Sequence, residues 1–158
     1  MTSAEILAAL IKLHAAGARS RRASPWALFP EFRCGTGYAR HGARTADVES
    51  RIDLLAIHTW PSGDGVIAYE VKVSRSDLLS ELKAPMKRRP ALRYSNRFYF
   101  ATPKGLVKPG ELPIECGLVE VDEGVAKVVT PAIYRDTFIP TNTFVMSLAR
   151  RVADLQGS

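Results

Sequence analysis

Acidic and basic side chains that can act together lie inside two strand-like runs of the sequence. The run IAYEVKV, residues 67–73, places Glu70 and Lys72 two positions apart among apolar and β-branched residues. Because side chains on a strand alternate between faces, Glu70 and Lys72 are predicted to point the same way. The run RIDLLAI, residues 51–57, likewise embeds Asp53 among apolar residues. If the two strands are neighbours, the three charged side chains meet at one place.

The residue types at that place suit a hard divalent cation. Two carboxylates, with the main-chain carbonyl of Val71 between Glu70 and Lys72, form an oxygen site of the kind that Mg²⁺ or Mn²⁺ prefers. Such a metal polarises a phosphoryl oxygen and acidifies a bound water, and an adjacent lysine orients that water or meets the developing charge. This is the chemistry of phosphodiester hydrolysis. An E-x-K pair alone is also typical of an ordinary ion pair, but an acid such as Asp53 is costly in an apolar strand and favours the metal site.

A third acid lies in an earlier apolar run. Trp26–Arg33 is predicted to be a strand, and Pro30 inside it indicates an edge strand or a bulge. Glu31 is therefore a further candidate for the same metal site. The strand that carries Asp53 is expected to span Ile52–Trp60, and the following turn, residues 60–65, predicts a hairpin with the strand that carries Glu70.

The remaining pattern predicts an α/β domain with a mixed sheet. Thr2 and Glu5 have the spacing of a capping box, and Ser74 begins a second one. The expected elements are a helix over 2–16, a helix after Ser74 interrupted by Pro85 and Pro90, a strand over 97–101, a hairpin over 118–129 and a helix over 143–155. The order is helix, three strands, helix, strand, hairpin and helix, which we interpret as one domain over residues 1–158.

The charge of the chain indicates a polyanionic partner. The formal net charge is +6 and the sequence pI is about 9.6. Basic residues gather in residues 19–22 and 83–97, and the long loop over residues 35–50 adds more; a solvated face is the alternative for each cluster. The amino-terminal end of the helix after Ser74 is also expected within reach of a bound phosphate. The candidate DNA contacts are Arg40, Arg44, Ser74, Arg75, Lys83, Lys87, Arg88 and Arg89.

Composition excludes several other classes of protein. An apolar fraction of 46% and a charged fraction of 24% are typical of a soluble globular protein, and no apolar run reaches the length of a membrane span. The first residues lack the pattern of a signal peptide, so a cytoplasmic protein is expected. Cys34 and Cys116 are too isolated for a disulfide framework or a zinc cluster and are expected to be buried thiols.

The ordered set of motifs resembles the PD-(D/E)XK nuclease superfamily. The resemblance covers residues 26–121 and rests on the acid of Asp53 followed by the E-x-K of Glu70 and Lys72. The segments EVKVSRSDLL, KRRPAL, SNRFYFATPKGL and CGLVEV are similar, more narrowly, to small phage and bacterial MmcB-like DNA-repair endonucleases. Ile52 precedes Asp53 where the superfamily name has proline.

The resemblance implies a restriction-endonuclease-like core, αβββαβ, with a carboxy-terminal hairpin and helix added. It also implies a divalent-metal-dependent nuclease acting on DNA, in which Asp53, Glu70 and Glu31 serve the metal and Lys72 positions the attacking water. The alternative is a catalytically silent protein of the same fold that binds DNA or a protein partner. A hydrolase of a small phosphorylated molecule is a third reading, but the chain has no recognisable small-ligand motif. The last helix, with Phe144, is expected either to close the core or to pair with a second copy as a homodimer.

Overall fold

Six strands form one mixed sheet in the computed structural model, which describes residues 1–16, 24–35, 50–61 and 63–158. The strands lie in the sheet in the order of the chain. The first three and the last two pair antiparallel, whereas the third, fourth and fifth pair parallel. Their bounds are β1 Trp26–Arg33, β2 Arg51–His58, β3 Val66–Val71, β4 Arg97–Pro103, β5 Cys116–Asp122 and β6 Val125–Thr130.

Four α-helices accompany the sheet within the described residues. They are α1 Ser3–Ala15, α2 Arg75–Leu82, α3 Arg89–Tyr94 and α4 Asn142–Gln156, and a 3₁₀ turn, Pro85–Arg88, joins α2 to α3. The hydroxyl of Thr2 accepts a hydrogen bond from the Glu5 amide at 3.3 Å, and the Glu5 carboxylate accepts one from the Thr2 amide at 2.6 Å. This reciprocal pair satisfies amides that the first turn of α1 leaves unpaired.

The helices cover both faces of the sheet. On one face, Ile6 and Leu10 of α1 pack into a cluster with Leu54, Tyr69 and Tyr99 from the central strands. On the other face, side chains from α2, α3 and α4 pack against β4 in a second cluster, which includes Leu78, Tyr94, Phe144, Phe98 and Phe100. The parallel pair of β3 and β4 is therefore buried on both sides, as parallel strands usually are.

The alternation of faces is interrupted in β1 and β2 at the same level of the sheet. Phe29 and Phe32 are three positions apart yet belong to one core cluster, and so do Ile52 and Leu55. Between Phe29 and Phe32, Glu31 has a φ of 50°, which is in the left-handed region that an L-residue adopts only at a cost. The interruption changes which side chains of β1 and β2 face this cluster.

The predicted order of elements and the β2–β3 hairpin are confirmed, as is the coarse α/β class with a mixed sheet. Pro30 lies in an edge strand, where its missing amide costs no ladder hydrogen bond. The expected helix after Ser74 is divided, because the chain leaves α2 at Leu82 and begins a new helix with Pro90 in its first turn. Phe144 is buried and anchors α4 to the core. In the described ranges, no helix has the length and apolar character that crossing a membrane requires.

Candidate functional site

The three predicted acids fall in a row across three neighbouring strands. Glu31 and Asp53 lie between two pairs of β1 and β2, Pro30 with Leu54 and Phe32 with Ile52. Leu54 also pairs with Tyr69 of β3, and Asp53 and Glu70 directly adjoin that pair in the chain. The fold thus brings together acids that are separated by 39 residues in the chain, at the end of the sheet where β3 terminates.

The carboxylate of Asp53 replaces a main-chain acceptor at the point where β2 and β3 separate. The last backbone pair of that ladder on this side is Leu54 with Tyr69. Beyond it, the amide of Val71 donates a hydrogen bond to Oδ2 of Asp53 at 2.8 Å. Because a side chain and not the β2 backbone satisfies this amide, the two strands can diverge while no buried donor is left unpaired.

A pocket of about 540 Å³ opens between the diverging strands and the first turns of α1. The predicted catalytic residues lie together in its wall. The residues that line the pocket are Ser3, Leu7, Glu31, Arg51, Asp53, Glu70, Val71 and Lys72. The sequence prediction that Asp53, Glu70 and Lys72 meet at one place is therefore confirmed as a matter of geometry.

Lys72 lies between two carboxylates, one expected and one not. Its Nζ is 2.6 Å from Oε1 of Glu70 and 3.5 Å from Oε2 of Glu81. Tyr69 and Val71 belong to the core cluster on the opposite face, as strand alternation predicts. Glu81 is buried in α2, and sequence reasoning missed it. Its spacing from Leu78 could have revealed it, because the two residues lie on the buried side of a short amphipathic helix, where a charged residue is unusual.

Burial and nearby acids raise the pKa values of the two central carboxylates. Burial, together with the charge of Asp53, raises the pKa of Glu70 to about 7, although the hydrogen bond from Lys72 opposes the rise. Burial also raises the pKa of Asp53 above its usual range, against the hydrogen bond from Val71 and the charge of Lys72. For Lys72, burial lowers the pKa, but the hydrogen bond to Glu70 and the surrounding carboxylates outweigh it and the net pKa is raised. The three acids in the pocket wall outnumber its two cations, Arg51 and Lys72.

The donor set fits a magnesium or manganese ion with a largely hydrated coordination sphere. Asp53 and Glu70 offer carboxylate oxygens, and Val71 offers a main-chain carbonyl beside them. Among the residues that the structure describes, no three His, Cys, Asp or Glu side chains are arranged as a cage for a metal. Mg²⁺ keeps several waters and is held in many proteins by one or two carboxylates, so the pair meets its usual requirement.

Glu31 lies farther out in the pocket than Asp53 and Glu70 do. Its side chain is 65% exposed and lies 3.7 Å from the guanidinium of Arg51, in an ion pair at the rim of the pocket. The left-handed backbone at Glu31 directs the side chain there. Its role as a metal ligand stays a prediction, and a position at the rim also suits a water-mediated contact.

Two of the predicted DNA contacts are engaged within the protein. Arg75 makes a two-pronged ion pair with Glu111, with nitrogen–oxygen distances of 2.6 and 2.7 Å, and it also donates to the carbonyl of Leu106. Arg88 is only 4% exposed, donates to the main-chain carbonyl of Glu81 at 2.9 Å and lies over an aromatic ring of β4. Both guanidinium groups therefore have internal partners, and their contact with DNA phosphate stays a prediction.

The other predicted contacts are exposed or lie outside the described residues. Lys83, Lys87 and Arg89 are exposed on the segment between α2 and the start of α3. Ser74 caps α2, since its hydroxyl accepts a hydrogen bond from the Asp77 amide at 3.2 Å. Arg40 and Arg44, like the rest of residues 36–49, lie outside the described residues.

A second pocket, of about 460 Å³, adjoins the row of acids on the face covered by α2 and α3. Glu70 and Arg51 line both pockets. Glu81 and Lys87 also line the second one, so an exposed lysine borders the carboxylates from this side. An anionic molecule that reaches Glu70 through this pocket would pass basic side chains.

Comparisons with known proteins show similarity of fold alone. No family model matches the chain, and no curated protein matches its sequence. A solved structure, the SPO1766 protein of unknown function from Silicibacter pomeroyi, is similar over 99% of this chain and 92% of its own, with a TM-score of 0.58 and 22% sequence identity. This likeness extends over nearly the whole of both chains.

Proposed function

We propose that this protein is a divalent-metal-dependent nuclease that hydrolyses phosphodiester bonds of DNA. The observation that carries the proposal is the adjacency of two partly buried carboxylates, Asp53 and Glu70, with the ammonium of Lys72 in the same pocket. A hard-cation site beside a fixed positive charge is suited to phosphoryl chemistry. The proposed fold is the restriction-endonuclease-like core, αβββαβ, and the element order of the structure is compatible with it.

Each side chain has a separate role in this proposal. Asp53 and Glu70, with the carbonyl of Val71, would hold Mg²⁺ or Mn²⁺. The ion, when bound, supplies Lewis acidity at the scissile phosphate and a more acidic water. Lys72 acts as a hydrogen-bond donor and cation and not as a general base, because its pKa is raised and it stays protonated at neutral pH. Glu81 positions Lys72 from α2.

Charge around the site supports a polyanionic substrate. The chain has a formal net charge of +6, and exposed Lys83, Lys87 and Arg89 lie on the segment that borders the second pocket. These cations would contact the phosphate backbone, so the affinity should fall steeply with salt. The family resemblance extends the proposal to a cytoplasmic role in DNA repair or phage DNA processing.

Cleavage assays with matched variants test the proposal. Purified wild-type protein is incubated with single-stranded, duplex, forked and circular DNA in Mg²⁺, Mn²⁺ or chelator. We expect cleavage that requires metal and that Asp53→Asn and Lys72→Ala abolish, while both variants keep most of their affinity for DNA. Equal cleavage by the wild type and both variants would exclude this pocket as the active site.

Glu31 can be tested without disturbing its backbone. Glu31→Asn removes the carboxylate, and asparagine tolerates the left-handed φ of 50° better than other residues do. If Glu31 serves the metal, the variant needs a higher Mn²⁺ concentration for half-maximal cleavage. An unchanged metal requirement would assign Glu31 to the rim only.

A second candidate function is DNA binding without cleavage. The contact of 2.6 Å between Lys72 and Glu70 favours it, since an ammonium that satisfies the carboxylate competes with a metal for the same oxygen. The described residues also lack a cage of three metal-ligating side chains. Salt-dependent binding to DNA with no cleavage in either metal would support this candidate.

A further inference from the structure

A third pocket lies at the far end of the second one, on the outer side of α3. Its volume is about 670 Å³, which is within the usual range for a small-molecule or nucleotide site. Met86, Arg89 and Arg93 form one wall, and the segment after β6 forms the other with Arg135 and Phe138. The active-site proposal does not use this pocket.

The third pocket adjoins the second one. Met86 and Pro90 line both pockets. The second pocket is also lined by Glu70 and Glu81. We call the two adjoining pockets the path, because an extended molecule that occupies both would reach from Glu70 to Phe138.

An aromatic ring is held in an exposed position at the end of the path. Phe138 is 63% exposed, yet its amide donates a hydrogen bond to the carbonyl of Arg93 at 3.2 Å. The guanidinium carbon of Arg93 lies 5.2 Å from the centre of the Phe138 ring. The segment is also fixed by the amide of Arg135, which donates to Asn96 at 2.9 Å. These contacts hold an exposed apolar ring in a defined place beside a cation.

The chemistry of the walls matches a nucleotide. Three arginines, Arg89, Arg93 and Arg135, line this pocket with the single carboxylate of Asp136, and the guanidinium of Arg93 lies over the ring. Aromatic faces beside cations bind bases by stacking and phosphates by charge. A duplex does not offer this contact, because its base faces are stacked on each other. An unpaired base does.

We propose that this path binds an unpaired segment of the substrate strand, with one base stacked on Phe138 and its phosphates beside Arg89 and Arg93. The inference rests on the proposed function for the identity of the substrate, and it adds that the substrate has a single-stranded region next to the cleaved bond. A protein ligand would meet the same apolar ring, but the three arginines favour a polyanion.

Binding measured in chelator tests the path separately from cleavage. Fluorescence anisotropy compares labelled decathymidylate, the same oligomer without bases, and a blunt duplex. We expect Phe138→Ala to weaken binding of decathymidylate about tenfold, a loss typical of one stacked base, and Phe138→Trp to restore it. Binding of the abasic oligomer and the duplex should change little. Ile139→Ala is the matched control, because Ile139 is 91% exposed and adjacent but does not line the pocket.

The outcomes separate this inference from the nuclease proposal. Unchanged affinity of Phe138→Ala for decathymidylate, an equal loss for the abasic oligomer, or no single-strand binding by the wild type would overturn the path. Metal-dependent cleavage together with any of these results would leave the nuclease proposal intact. Binding that depends on Phe138, with no cleavage in either metal, would support the path and overturn the nuclease proposal.

Discussion

Replacing Glu70 with glutamine should stabilise the protein at neutral and alkaline pH. The pKa of Glu70 rises from 4.5 to about 7 in the folded protein, chiefly because the carboxyl is buried and lies near Asp53. A change of this size corresponds to at most about 3 kcal/mol of unfavourable free energy for the ionised form. Glutamine has nearly the same shape and no charge, so Glu70→Gln avoids this cost.

The pH window follows from the direction of the change. Between pH 4.5 and about 7, the folded protein keeps a proton on Glu70 that the unfolded chain releases. The free energy of unfolding of the wild type therefore falls as the pH rises through this window, and the deficit persists above it. Glu70→Gln lacks that contribution, so the difference in free energy of unfolding between the two proteins should be small near pH 4.5 and largest above about pH 7.

Urea unfolding followed by circular dichroism measures the difference, with chelator present, at about pH 5 and about pH 8. Glu115→Gln is a control of the same chemistry, since Glu115 precedes β5 and lies outside the carboxylate pockets. In a separate measurement without chelator, added Mg²⁺ should stabilise the wild type and not Glu70→Gln, because a ligand stabilises the state that binds it. A glutamine variant that is less stable than the wild type at the higher pH would refute the reasoning.

Three further changes have defined outcomes. Glu81→Gln should lower the cleavage rate but not the DNA affinity, because it removes one carboxylate beside the water-positioning lysine; an unchanged rate constant would exclude the positioning role. Arg75→Ala should lower the melting temperature near neutral pH but not in acid. The Arg75 ion pair holds the pKa of Glu111 at about 2, so the stability that the pair contributes is lost as the pH falls from 4.5 towards that value. An equal fall in melting temperature at both pH values would contradict this. Tyr69→Phe should destabilise the protein by about 1 to 3 kcal/mol, because the Tyr69 hydroxyl lies 2.9 Å from buried His14, and thermal unfolding that shows no change would disprove it.

The order of elements was predictable because local chemistry determines it. Thr2 and Glu5 signal the start of α1 within one turn, and the hydroxyl of Ser74 does the same for α2. Strand alternation correctly placed Glu70 and Lys72 on one face. In each case the information lies within a few residues of the feature.

The local sequence did not reveal features that depend on distant partners. Arg75 pairs with Glu111, 36 residues away, and its position after Ser74 gives no sign of this partner. Arg88 belongs to a basic cluster in sequence, but its side chain packs inward over Phe100. The left-handed backbone of Glu31 is a tertiary consequence of how β1 meets β2.

Single-turnover cleavage by the wild type and Lys72→Ala tests the central claim most directly. With enzyme in excess over labelled DNA in Mn²⁺, the wild type should cleave, and Lys72→Ala should lose at least about 100-fold in rate, the scale of one electrostatic donor at an active site. The affinity of both proteins for the same DNA, measured in chelator, should agree within a factor of about two, since Lys72 lies inside the pocket with its side chain 15% exposed. Equal cleavage rates for the two proteins would contradict the account, as would a loss of cleavage that a parallel loss of DNA affinity fully explains.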